Sequence, residues 1–265
     1  VLLRSLQLDQ NPFERTQTHK LHGSLILMLG WRARVGLMIP SSNTNQEPEF
    51  YMMAPEGVSF HTARMKFRDT SIAGLTEMVQ NIDKAIDELT GTSFPFDLIA
   101  FMCTSGTFIK GASFDREVRE KIEKMSGIAA ETMSAACVQA MKEMKIENVA
   151  VGTAYTEEIN QKEREFLEGF GFNIVTMKGL GIRFAMDREP PEVSYRLGKE
   201  IDRPEADGVF ISCGGLRAAP IIEKLEKDIK KPVITSNQAM MWSILRRLNI
   251  REPIQGYGAL LREHL

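Results

Sequence analysis

From Arg34 onward the chain alternates two kinds of stretch: short runs of consecutive apolar residues, and longer ones in which apolar residues recur every three or four positions. The first kind reads as a strand buried on both faces, the second as a helix with one apolar face. Val35–Ile39 (VGLMI) is such a strand, stopped by Pro40 and followed by the turn-rich SSNTN, a loop suited to capping the next helix. Val58–Met65 (VSFHTARM) alternates as a second strand. Ile72, Leu75, Val79, Ile82, Ile86 and Leu89 share one face of a single helix predicted from Ser71 to Leu89. A strand over Asp97–Met102 runs into Cys103, and helices are predicted from about Phe114 to Met125 and over Glu131–Lys145. Strand and helix in this alternation predict an α/β fold with a parallel sheet covered by helices.

The second half repeats the first. NVAVGTAYTEE begins at Asn148, 114 positions after RVGLMIPSSNT begins at Arg34, and FNIVTMKG from Phe172 lies 114 after VSFHTARM. DGVFISC from Asp207 lies 110 after DLIAFMC from Asp97, and the helix ending at Ile250 lies 104 after the one ending at Ile146. Few residues are identical, but strand, loop and helix recur in the same order, the mark of an internal duplication. The expected organisation is two four-stranded units, 34–146 and 147–253, meeting around a pseudo-twofold axis. Residues 1–33 form an N-terminal arm outside this pattern, and 254–265 a return segment expected to pack on the first unit.

Composition narrows the partners. Across 265 residues the formal charge is −2, with both signs interspersed, so no single-sign field steers nucleic acid or an anionic membrane. The apolar run Leu25–Leu29 is far below the roughly 20 residues of a membrane span, and the chain is expected to be cytoplasmic and unanchored. Three scattered cysteines make no disulfide framework, and no Cys/His spacing suits a metal.

Two of those cysteines stand out. Cys103 and Cys213 each end a strand, at the edge where parallel sheets bind ligands, and each opens a small-residue loop, TSGT or GGLR. Backbone N–H groups at such a helix start can face an anion and are expected to lower a cysteine pKa from about 8.5 toward neutrality. A lone buried cysteine is ordinarily core packing, which is how Cys137 reads, among Ala135, Ala136 and Ala140. Equivalent placement in a repeat sets the other two apart. His19, His22 and His264 lie in the termini and His61 lies mid-strand, where a structural role fits better than a general base. The chain has no GxSxG elbow, Walker loop or post-strand GxGxxG. Glycines in GFGFN and KGLGI read as helix ends and loop entries. At the same sheet edge lie Ser105, Asn43, which suits an Asx turn or helix cap equally well, and Tyr155, at the repeat position of Ser41.

PSSNT, MCTSGT, AYTEEIN and SCGGLR, in this order over about Arg34–Leu261, resemble the maleate cis-trans isomerase and arylmalonate decarboxylase branch of the aspartate/glutamate racemase superfamily. The resemblance implies two Rossmann-like units with the active site between them and no metal or organic cofactor. It implies that Cys103 and Cys213 are catalytic, that Asn43 and Tyr155 hold a substrate carboxylate, and that Thr104, Ser105 and the Gly214 amide form its oxyanion cradle. Family decarboxylases carry glycine at the first cysteine position, so Cys103 points to isomerisation or racemisation. Where family isomerases have asparagine the segment AMDRE has Asp187, which would repel a dicarboxylate unless paired, for example with Arg183 or Arg188, or unless the substrate carries a positive group. The function so implied is cysteine-pair isomerisation of a small carboxylate, maleate to fumarate or a related substrate, by a homo-oligomer, a dimer or tetramer. Racemisation of an aspartate- or glutamate-type amino acid is the alternative, with arylmalonate-type decarboxylation or carboxylate sensing without catalysis behind it.

Overall fold

The computed structural model describes residues 29–265; most of the N-terminal arm, residues 1–28, lies outside them. The elements are β1 (Ala33–Pro40), α1 (Gln46–Met53), β2 (Val58–Met65), α2 (Ile72–Val79), α3 (Ile82–Thr90), β3 (Leu98–Phe101), α4 (Thr104–Phe108), α5 (Ala112–Ser126), β4 (Ala130–Thr132) and α6 (Met133–Glu143) in the first half. The second half has β5 (Asn148–Thr153), α7 (Glu157–Gly169), β6 (Asn173–Gly179), α8 (Pro191–Ile201), β7 (Gly208–Ser212), α9 (Ile222–Ile229), β8 (Val233–Thr235), α10 (Ser236–Arg247) and α11 (Ala259–Glu263).

These strands form two four-stranded sheets with matching orders, β2-β1-β3-β4 and β6-β5-β7-β8, and every pair is parallel. The apolar runs are continuous because β1, β3, β5 and β7 are inner strands covered on both faces: Val35, Leu37, Ile99, Val149, Val151 and Val209 are all buried. The duplication extends to side-chain anchors. Asp97 Oδ2 accepts from Arg34 N at 2.8 Å and Asp207 Oδ2 from Asn148 N at 2.7 Å, each tying an inner strand to the start of its neighbour.

Two local readings change. The helix predicted over Ser71–Leu89 is two helices, broken at Gln80–Asn81, where the Gln80 amide is shared between Glu77 O and Thr76 O and Asn81 Nδ2 bonds Glu77 O. A side chain that competes for backbone carbonyls favours such a break. Glu131 and Thr132, read as the start of a helix, belong instead to β4; Thr132 accepts from Ala135 N and caps α6, as Thr235 caps α10.

Helices α6 and α10 occupy equivalent places and pack on each other, so the axis relating the halves passes between them. Both helices are rich in small buried residues, Ala136 and Ala140 on α6 and Ala239 on α10, and Cys137 is buried as core. Glu131, fully buried, accepts from Ser243 Oγ at 2.9 Å and pairs with Arg247 at 3.3 Å across the same seam. The last segment touches both halves: Tyr257 Oη donates to Met52 O, Trp242 Nε1 to His264 O, and His264 Nδ1 meets Glu143 at 3.2 Å.

Candidate active site

The inner strands β3 and β7 deliver the two cysteines to the edge where the loops after β1 and β5 also open. Cys103 is the N-cap of α4 in extended backbone, φ −140°. Its sulfur faces Ser105 Oγ at 3.7 Å and the amides of Ser105 and Gly106. Cys213 repeats this arrangement: its sulfur accepts from Gly215 N at 3.3 Å and faces the Tyr155 hydroxyl and the Leu216 amide, which donates to Cys213 O at 3.1 Å. Gly215 and Leu216 are the repeat partners of Ser105 and Gly106. Each sulfur therefore sits in a small nest of its own backbone amides.

Those donors do not make either group a resting thiolate. Burial pushes the Cys103 thiol up to about 11 and the Cys213 thiol up to about 12, and the hydrogen bonds recover only part of the shift. This corrects the expectation of pKa values lowered toward neutrality. Desolvation dominates in a cleft that leaves the residues 8% and 9% exposed, and five-residue α4 carries little macrodipole. The second helix start is also not free for a ligand: the Ala218 and Ala219 amides both donate to Glu49 Oε1, at 2.8 and 2.9 Å.

Asn43, Cys103, Thr104, Ser105, Tyr155, Asp187, Cys213 and Gly214, all the residues singled out in the sequence, line one cleft of about 50 Å³ between the halves. Asn43 forms the Asx turn read for it. Its Oδ1 accepts from Asn45 N and Gln46 N as an Asx turn opening α1, which leaves Nδ2 as its donor toward the cleft. Tyr155, 2% exposed, stacks edge-on with Phe108 at 5.9 Å and is anchored through its backbone to Thr153 Oγ1 and Gly181 N. The Thr104 hydroxyl donates to Ser236 Oγ at 3.2 Å, so its proton is already committed. Asp187 lies in a 3-10 turn, Met186–Arg188, and accepts from Thr44 Oγ1; it forms no ion pair among the described residues, with Arg183 and Arg188 included. His61 bonds Ser59 Oγ at 3.0 Å and is not part of the cleft.

Other contributors carried no signal of their own in the sequence. Ser236 Oγ accepts from Cys213 N at 3.0 Å as well as from Thr104, tying the two cysteine segments together. Gln46 Nε2 donates to Met102 O at 2.8 Å and Asn237 Oδ1 at 3.4 Å, while Asn237 Nδ2 donates to Glu49 Oε2 at 2.7 Å and Gly214 O at 3.1 Å. A Cβ at Gly214 would collide with Gln46 Nε2, so this backbone can approach only as glycine. Phe67, Phe184 and Met186 supply apolar wall, with Met186 Sδ 3.3 Å from Cys213 Sγ. Among the described residues, no group of three or more His, Cys, Asp and Glu could hold a metal ion, and no helix is long and apolar enough to cross a membrane.

A family model described as arylmalonate decarboxylase matches residues 35–261, both sheets and both cysteines included. The chain belongs to the arylmalonate decarboxylase family. Within it, similarity extends to the maleate isomerase of Nocardia farcinica, 26% identical over 244 residues that cover 87% of this chain and 96% of the relative. The maleate isomerase of Pseudomonas putida is 25% identical over 243 residues, covering 86% and 96%. Among solved structures, a cysteine-to-serine mutant of the Nocardia farcinica maleate cis-trans isomerase, with a covalently bound succinylcysteine intermediate, matches with a TM-score of 0.83 at 24% identity. That match covers 88% of this chain and 99% of the other and shows that the two share a fold.

Proposed function

We propose that this family member is a cofactor-independent isomerase of a small carboxylic acid, maleate isomerase-like, in which Cys103 and Cys213 react with the substrate. The observation carrying the reading is the placement of two thiols at repeat-equivalent strand ends on one cleft, each in its own amide nest. The covalent succinylcysteine described for the Nocardia farcinica enzyme supports a cysteine–substrate bond in this chemistry.

In the proposed cycle Cys103, as thiolate, adds to the alkene carbon β to the held carboxylate, and the displaced electron pair moves into that carboxylate as an enediolate. Cys213 gives its proton to the α-carbon. The former double bond is now single and rotates. Cys213 thiolate takes the proton back, the pair re-forms the double bond, and Cys103 leaves as the thiolate it began as. Asn43 Nδ2, the Tyr155 phenol, Ser105 and the Gly214 amide are the donors assigned to the carboxylate, where charge develops. One well-placed donor of this kind is typically worth about 3 kcal/mol in the transition state. Burial pushes both thiols up, so Cys213 holds a proton that it can give as the acid.

Racemisation of an amino acid by the same pair is the second reading, one cysteine removing an α-proton and the other returning it on the opposite face. Asp187 favours it, as an acceptor for a substrate ammonium. Incubation with maleate, followed by fumarate absorbance, and with aspartate and glutamate in D₂O, followed by α-proton exchange, separates the two. Fumarate formation is the expected result; exchange into an amino acid without maleate turnover would replace isomerase by racemase. A sensor would keep ligand affinity in both Cys103→Ala and Cys213→Ala and turn over nothing. A cytoplasmic homo-oligomer belongs to the same proposal, and light scattering gives the subunit number.

A further inference from the structure

The cleft is charged at one place, and that place is anionic. Among its described lining residues there is no lysine, arginine or histidine, and Asp187 is the one ionisable group besides the cysteines and Tyr155. Around the two sulfurs the wall consists of neutral donors, Asn43, Ser105, Tyr155 and Gly214, a surface that suits one carboxylate. The rest of the lining is different, Phe67, Thr70, Phe184, Ala185 and Asp187, and Asp187 is held beside Asn43 through Thr44.

This part of the lining is built and not incidental. It is assembled from one loop of each half, joined where Thr70 N donates to Arg183 O at 2.8 Å. Ala185 takes a left-handed conformation, φ 58°, to begin the turn that presents Met186 and Asp187. Thr44 Oγ1 donates to Asp187 and fixes the carboxylate across the interface. Arg64 is spent on Ser41 O, Asn43 O and Glu47, and among the described residues neither it nor Arg183 nor Arg188 forms an ion pair with the acid. A second carboxylate placed here would meet a fixed like charge with no counter-ion, whereas an N–H group would meet an acceptor.

Resting on the reading of this cleft as the substrate site, we infer that Asp187 sets specificity, and that the substrate is a short unsaturated monocarboxylate whose far end carries an N–H donor, a primary amide or an ammonium, in place of a second carboxylate.

The test pairs turnover with binding. Turnover compares maleate, its monoamide maleamate and cis-4-aminocrotonate, which differ at the far end as carboxylate, amide and ammonium. Binding compares succinate with its monoamide succinamate by titration calorimetry, saturated probes that cannot react. The wild-type protein is expected to favour an N–H-bearing partner over the dicarboxylate by about 100-fold in both measurements, the scale on which an uncompensated like charge discriminates. Whether amide or ammonium leads tells which donor the site takes. Asp187→Asn keeps an acceptor oxygen but removes the charge, and is expected to leave succinamate affinity within a few-fold while erasing most of the discrimination against succinate; a merely structural role would weaken both ligands alike. Succinate binding as tightly as succinamate to wild type, neither probe binding, or an unchanged ratio in Asp187→Asn would overturn the inference. Selective succinamate binding with no turnover of any alkene would leave the specificity role of Asp187 standing and overturn the isomerase reading, and with it the unsaturated substrate.

Discussion

The two cysteine segments are equivalent by duplication and unlike in conformation. Cys103 lies at φ −140°, ordinary extended backbone, whereas Cys213 lies at φ 125°, a region that side chains other than hydrogen rarely occupy. Holding a residue there costs on the order of 1–3 kcal/mol and persists only where the surroundings over-determine it. They do so here: Ser236 takes the Cys213 amide, Asn237 takes the Gly214 carbonyl, and Glu49 takes the Ala218 and Ala219 amides. The carboxylate equivalent to Glu49 is Glu163, 114 positions later and also buried. Glu163 does not reach across to the Cys103 loop. It bonds Ser212 in its own half, and its second oxygen has no partner. Duplication thus supplies two thiols, and the asymmetry separates their duties: a relaxed Cys103 as nucleophile, and a clamped Cys213 beside Tyr155 as acid.

The sharpest way to break this comparison is to remove each sulfur. Cys103→Ser and Cys213→Ser are each expected to lower turnover by about 1,000-fold or more, as loss of a nucleophile or a general acid does. Near-wild-type rates in either variant would dissolve the pair. Next in size is Glu49→Ala, which strands two amides and Asn237 in the interior; about 3 kcal/mol of stability should be lost, read by denaturant unfolding. Turnover should drop about 100-fold, since a 1 Å misplacement at a reacting group has that consequence. Alkylation of Cys103 in the same variant should stay near the wild-type rate, because the clamp serves the other loop.

The pH dependence tests which thiol must ionise. With the Cys103 thiol pushed up to about 11, its thiolate fraction rises about tenfold per pH unit through the neutral and mildly alkaline range. Turnover and iodoacetamide labelling of Cys103 should climb together with that slope. A plateau reached near pH 8 would contradict a neutral resting thiol. The smallest effect concerns Glu163, whose carboxyl is pushed by burial up to about 8 from an ordinary 4.5. Between those values the folded chain holds a proton that the unfolded chain releases, so this group's contribution to stability falls as pH rises through the window. Glu163→Gln should therefore raise Tm at pH 8 by several degrees, at about 2–4 °C per kcal/mol, and leave it nearly unchanged at pH 5. Calorimetry at the two pH values reads the difference.

Much of the fold was legible because inner parallel strands write themselves as unbroken apolar runs, and because the duplication shows the same order of elements twice. The three-residue strands β4 and β8 were not, since each is too short to show a period and runs directly into a helix, with the capping threonine as the join. In the site, Cys103, Cys213, Asn43 and Tyr155 stood out through position at strand ends. Glu49, Gln46 and Asn237 did not, because a carboxylate or amide on a helix reads as solvated surface until its partners, 169 and 188 positions away for Glu49, are in place. The repeat offset held one usable signal, as Glu49 and Glu163 fall 114 apart on equivalent helices. Thiol pKa values were misread for a physical reason: the amide nests were visible in the glycine-rich loops, but the depth of burial that outweighs them was not.

The division of duties, nucleophile at Cys103 and proton donor at Cys213, is read out by peptide mass spectrometry of Cys213→Ser incubated with maleate and with maleamate. Without Cys213 no base remains to withdraw the α-proton, so an adduct that water has protonated cannot eliminate. The expected result is a stable thioether on the Cys103 peptide, heavier by one intact substrate molecule, and none on the Cys137 peptide. An unmodified Cys103 in that variant, with an adduct instead on Cys213 in Cys103→Ser, would reverse the roles and contradict the account.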